Sequence, residues 1–271
     1  TTIQFTYISI CNPSVVWHMR TIMLAILLMS SILAGCTSNT QDELGLTLVV
    51  QYEKTNGTIV ETHVDGELVS TTNVLLEFDF SNSRSGEELV TFGVDLMDGS
   101  SPITINPNDE SAITIEFTNH GIYEIIAYAI DEKNQQESIA ITIRIELIIQ
   151  WSESNTYNPK PLSFNPIPDN GGAWPSSILI DSTVENPVLI ENIGGGREVD
   201  FNWGLFDQRE EACQSRNGRV SEGDFVNWKT IHFNTFEIHE LRINYDDGQD
   251  YINIDQSVSI QYNNNESIPN A

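Results

Sequence analysis

The chain has 271 residues, with 39 Asp and Glu against 12 Lys and Arg, for a formal charge of −27. A surface this acidic repels nucleic-acid phosphates and anionic lipid head groups, which excludes nucleic acid as a partner. Hydrophobic residues make up 39%, enough to build a packed core and too many for a disordered chain.

Taken in order, residues 1–18 precede the first Met and read as an upstream leader outside the fold. Residues 19–35 follow with a positive start at Arg20, an apolar run over 22–33 and an exit of small residues. That is the build of a cleaved secretory signal, and the run is too short to stay in a bilayer as a helix. Its end, Leu33-Ala34-Gly35-Cys36, resembles the lipobox of prokaryotic lipoprotein signal peptides. The resemblance implies cleavage between Gly35 and Cys36 and a lipid on the Cys36 sulfur, so that the membrane is a partner through that lipid. No Asp or Glu occurs before Asp42, so the acidic charge belongs to the part beyond the signal. Cys11 lies in the leader and Cys36 carries the lipid, which leaves Cys213 without a disulfide partner. The expectation for it is a buried thiol, or else a thiol open to intermolecular pairing.

Residues 36–45 read as a polar tether. Residues 46–149 then alternate apolar and polar side chains, the pattern of strands packed on one side. Val74, Leu76, Phe78 and Phe80 form one such face, Val90, Phe92, Val94 and Leu96 a second, and Ile139 to Ile149 in steps of two the longest. Asn56-Gly57 and Asp65-Gly66 suit tight hairpin turns.

Within this region Asp95-Leu96-Met97-Asp98-Gly99-Ser100 resembles the Trp-Asp-Phe-Gly-Asp-Gly signature of PKD domains. The run from Phe117 into Gly121 and Tyr123 is similar to that family's Gly-Thr-Tyr strand, with Asp131 as its closing Asp. Phe78-Asp79-Phe80-Ser81 is similar to its first strand and turn. The resemblance spans about residues 73–147, and departs from the family at Val94 and Met97. It implies an Ig-like sandwich whose motif residues serve turn chemistry, and a role in adhesion, spacing or substrate contact.

Residues 150–170 hold Pro159, Pro161, Pro166 and Pro168 and read as a linker. Residues 171–268 again alternate, as in Val199, Phe201, Trp203 and Leu205, and read as a second, jelly-roll-like sandwich. Residues 207–214 suggest one short helix, Asp246-Asp247-Gly248 a hairpin turn, and residues 263–271 a frayed end. The expected fold class is therefore all-β, with two sandwich domains after a cleaved signal.

Chemistry-bearing clusters are sparse. His63, His120, His232 and His239 follow no zinc-motif spacing, so neither a metal nor another cofactor is expected. Asp246, Asp247 and Asp250 lack the spacing of a Ca²⁺ loop, and Gly194-Gly195-Gly196-Arg197 lacks the Lys and the helix of a phosphate cradle. No nucleophile motif stands out, so no catalytic residue is assigned and an enzyme is not expected. Arg209, Arg216 and Arg219 cluster around Cys213 and form the candidate contact loop. The whole reads as a lipid-anchored, extracytoplasmic, non-catalytic protein for surface binding, adhesion or scaffolding, with surface proteins or polysaccharide as partners. The alternatives are an accessory carbohydrate- or Ca²⁺-binding lipoprotein, or a hydrolase with its site in residues 171–268.

Overall fold

The period-two stretches become strands. The computed structural model describes residues 45–188, 197–263 and 265–270. In chain order the strands are β1 (Asn56–Val64), β2 (Glu67–Thr72), β3 (Val74–Asp79), β4 (Leu89–Asp95), β5 (Ile103–Ile105), β6 (Ala112–Phe117), β7 (Gly121–Asp131) and β8 (Gln136–Thr156). There follow β9 (Leu162–Phe164), β10 (Ser177–Glu185), β11 (Glu198–Phe206), β12 (Ala212–Ser221), β13 (Phe225–His232), β14 (His239–Asp247) and β15 (Ile252–Gln261). The fold class is all-β, and no helix occurs among the described residues.

Three sheets result. The largest runs β13-β10-β15-β8-β7-β4-β5, with β1 and β2 attached at β8. A second runs β12-β11-β14-β9, and β3 pairs with β6 in a third. The strand that organises them is β8. One of its edges pairs antiparallel first with β7, up to Ile145, and then with β15, from Leu147 onward. Its other edge takes β1 in parallel, from Asn56↔Arg144 to Val64↔Ser152. Its odd residues Ile141, Ile143, Ile145, Leu147, Ile149 and Trp151 are all buried, so one face of one strand serves the core on both sides of the handover.

Ring contacts show the sheets facing each other. Phe80, just beyond β3, stacks on Phe92 of β4 at 4.9 Å. Trp203 of β11 meets Trp228 of β13 at 5.9 Å, and its Nε1–H donates to Ser182 Oγ of β10 at 2.8 Å. The same core therefore extends from the two-stranded sheet, along the large sheet, to the four-stranded one.

Six expectations need correction. The domain boundary at 150 falls inside β8, and Leu46–Ala271 form one compact unit. The expected linker contributes Trp151 to Thr156 to β8, and β9 pairs with β14. The alternation simply continues through Trp151 to Glu153. That carboxylate is buried, and burial pushes it up, but it accepts the Lys160 backbone N–H at 3.0 and 3.1 Å. A satisfied acceptor can occupy an apolar position.

Asn56-Gly57 opens β1 instead of turning the chain. Gly57 is needed for close approach, since a Cβ there would stand 2.4 Å from Val74 Cγ1. By contrast Asp65 and Gly66, at φ 51° and 84°, do form the turn between β1 and β2. Residues 207–211 form a turn pinned by Asp207 Oδ1, which accepts from the N–H groups of Arg209 and Glu211, and β12 replaces the expected helix. Asp246-Asp247-Gly248 does not close a hairpin, because β14 and β15 belong to different sheets. The tail is pinned too. Ser267 N–H donates to Thr142 O at 2.9 Å and Asn270 N–H to Tyr52 O at 3.2 Å.

A polar groove as candidate functional site

The outward face of the large sheet near β8 carries a groove of about 590 Å³. Its floor follows from register. Thr62 lies beside Gln150, Gln150 beside Ser257, Ser257 beside Asp181 and Asp181 beside Lys229. A second row places Ser152 beside Asp255, Asp255 beside Thr183 and Thr183 beside Asn227. Strand alternation sends the odd residues of β10, β13 and β15 to this face while their even neighbours fill the core.

The groove has its own internal ordering. Lys229 Nζ meets Asp181 Oδ2 at 2.6 Å, and Asn227 Nδ2 donates to Asp181 Oδ1 at 2.5 Å and to Thr183 Oγ1 at 3.0 Å. Partial burial opposes ionisation of Asp181, but the bonds from Lys229 and Asn227 prevail and hold its carboxyl below the ordinary range. His63 stacks on Trp151 at 5.6 Å on the other, core-side face of the same strands, so its ring belongs to the core row and not to the groove floor. Hydroxyls, amides, two carboxylates and one ammonium thus converge on one open surface.

The residues singled out from the sequence fall elsewhere. Arg209 lies in the turn after β11, and Arg216 and Arg219 lie on β12, so the expected contact loop is not one loop. Arg219 forks onto Asp200 at 2.5 and 3.0 Å, and Arg216 covers Trp203 at 5.7 Å while donating to Asn227 O at 3.0 Å. These two are spent on their own neighbours. Asp250 is fully buried beside Arg197, with 3.1 Å between Oδ1 and the guanidinium. The contact is an ion pair without hydrogen-bond alignment, and it supplies by an arginine the cation that a Ca²⁺ site would need. His120 is buried, with Nδ1 2.7 Å from the Tyr262 hydroxyl and Nε2 3.2 Å from Asn165 O. Cys213, expected to be buried, is exposed, and it converges with His232 and His239. Gly35, Cys36 and Gly194 to Gly196 lie outside the described residues.

No protein-family model matches the chain, and no curated protein matches it. Among solved structures it is similar to carbohydrate-binding modules of the β-sandwich superfamily, at 9% identity and a TM-score of 0.29, covering 79% of this chain and 96% of that one. It is similar at 11% identity and a TM-score of 0.26 to tripeptidyl peptidase 2, covering 82% of this chain and 20% of that one. It is also similar to SGBP-B of the Bacteroides ovatus mixed-linkage glucan utilization locus, solved with a mixed-linkage heptasaccharide. There the identity is 11% and the TM-score 0.20, over 76% of this chain and 52% of that one. Likeness at this level assigns no function.

Proposed function

We propose that this chain is a non-catalytic binding protein outside the cytoplasm, held at a membrane by lipid on Cys36, and that its groove takes a polyhydroxylated ligand such as a polysaccharide. The observation that carries the reading is the groove floor. Across β1, β8, β15, β10 and β13 it alternates hydroxyl, amide and carboxylate groups in fixed register. Sugar hydroxyls both donate and accept, so a floor of mixed donors and acceptors suits them better than it suits an apolar ligand. Its openness suits a chain passing across the sheet. The lipobox-like Cys36 and the PKD-like run over 73–147 belong to the same proposal, since both fit a surface protein that displays a binding face.

The test is a glycan array with the purified chain, followed by titration of any hit against Asp181→Ala, Asn227→Ala and Lys229→Ala. These positions face outward, so folding is expected to survive. Each variant is expected to weaken binding about tenfold, the equivalent of 1.4 kcal/mol. Binding that all three variants retain in full would remove the groove from the proposal, and intact mass showing a bare thiol at Cys36 would remove the anchor.

A further inference from the structure

Cys213, His232 and His239 come from three strands and two sheets, yet one ligand atom from each lies within 4.8 Å of the other two. Their convergence has a structural origin. His232 ends β13 in the large sheet and His239 begins β14 in the facing one, both on inward positions. Cys213 sits at a bulge. Leu205 pairs with Gln214 and Phe206 with Ala212, so Cys213 is the extra residue of β12. Bulges re-aim a side chain out of its ladder position.

Two buried atoms at this place have no partner. They are Nε2 of His232 and Nδ1 of His239, on rings only 8% and 1% exposed. The rings meet edge to face at 4.7 Å. His239 Nε2–H donates to Asn234 O at 2.8 Å, which fixes the tautomer and leaves the Nδ1 lone pair free. A metal-bound imidazole uses its second nitrogen in this way. At His232 the Gln214 amide is 3.5 Å from Nδ1, too long to hold the ring in one tautomer.

We propose that Cys213 Sγ, His232 Nε2 and His239 Nδ1 bind a divalent transition-metal ion of the zinc type. One thiolate and two imidazoles are a borderline-soft donor set, suited to Zn²⁺ and poor for Ca²⁺ or Mg²⁺. Bonds of about 2.0–2.1 Å to nitrogen and 2.3 Å to sulfur give a tetrahedron with edges of roughly 3.3–3.7 Å. The site must therefore draw in, and Cys213, exposed on the edge strand of its sheet, is the member with room to move. Three protein ligands leave a fourth position on the solvent side. On binding, the thiol gives up its proton to solvent and both histidines ligate as neutral rings.

The test is Co²⁺ titration of the full chain, purified in detergent. One equivalent is expected to give thiolate-to-metal charge-transfer bands with the intense visible bands of four-coordinate Co²⁺, and Zn²⁺ is expected to abolish both. Cys213→Ser is expected to remove the charge-transfer bands, and His239→Gln to weaken binding at least about 100-fold. Because His239 is buried, its variant counts only if its circular dichroism matches the wild type. Cys213→Ser, at an exposed position, decides the matter otherwise, together with Zn²⁺ protection of Cys213 from alkylation. Absence of a Co²⁺ spectrum at millimolar metal, or its persistence in Cys213→Ser, would overturn the proposal. The groove lies on the opposite face of the large sheet and uses none of these residues, so the two readings fail separately.

Discussion

Arg144 and Glu266, 122 residues apart, face each other through two bonds of 3.0 Å, Nε–H to Oε2 and an Nη–H to Oε1. The pair ties the C-terminal tail to β8, and Asn56 Nδ2 adds a third bond to Glu266 at 2.7 Å. The Arg144 guanidinium, first among several causes, holds the Glu266 carboxyl down at about 2, against an ordinary 4.5. A depressed carboxylate stabilises the fold fully above its ordinary pKa. Glu266 is therefore expected to lose its contribution as pH falls from about 4.5 through about 2. Glu266→Gln should cost about 1–3 kcal/mol at neutral pH and flatten the acid limb of the stability profile in urea unfolding. An unchanged limb would show that ionised Glu266 contributes nothing to stability.

His120 acts in a different window. Its ring is buried, Tyr262 O–H donates to Nδ1, and Nε2–H donates to Asn165 O. Burial lowers its pKa from the ordinary 6.5, against the weaker opposing pull of the Asn165 carbonyl, Asp169 and Glu61. Stability from the neutral ring is present above about 6.5 and lost as pH falls through the lowered value. The expected loss begins well above the window of Glu266. Stability curves of wild type and His120→Gln should diverge as pH falls below the ordinary histidine value of 6.5, and a parallel pair would assign the acid loss to other groups.

Gly218 of β12 faces Phe201, and a Cβ there would stand 2.4 Å from two of its ring atoms and 2.9 Å from Trp203 Cζ3. Both rings are fully packed, so neither can withdraw. Gly218→Ala is expected to destabilise by about 1–3 kcal/mol, read as a lower urea midpoint at constant slope. A neutral result would mean that the edge strand yields.

Period two made most strands legible, because a half-buried strand prints its burial directly on the chain. The join at β8 was not legible. Four prolines suggested a break, while the bond from Lys160 N–H that lets Glu153 continue the buried row is a tertiary fact. The groove was equally hidden, since Asp181, Asn227 and Lys229 read as ordinary outward residues until register aligned them. Cys213, His232 and His239 fit no linear spacing, because a bulge and two sheets bring them together. The arginine cluster misled for the opposite reason. Near neighbours in sequence on one strand point to alternate faces, and Arg219 and Arg216 met partners on their own sides.

The bond between Trp203 and Ser182 offers a direct measure of how the facing sheets are held. The indole is fully buried, and its only polar atom donates to a fully buried hydroxyl at 2.8 Å. Gln256 Nε2 donates to the same oxygen at 3.3 Å. Ser182→Ala removes the acceptor and leaves a buried N–H unpaired, with an expected cost of about 1–3 kcal/mol. Trp203→Phe removes the donor and also leaves a void, so its cost should be larger. If the two residues act as a unit, the double variant should cost less than the two single costs together, by about 1 kcal/mol or more. Strict additivity in urea unfolding would mean that the sheets are held there by ring packing alone.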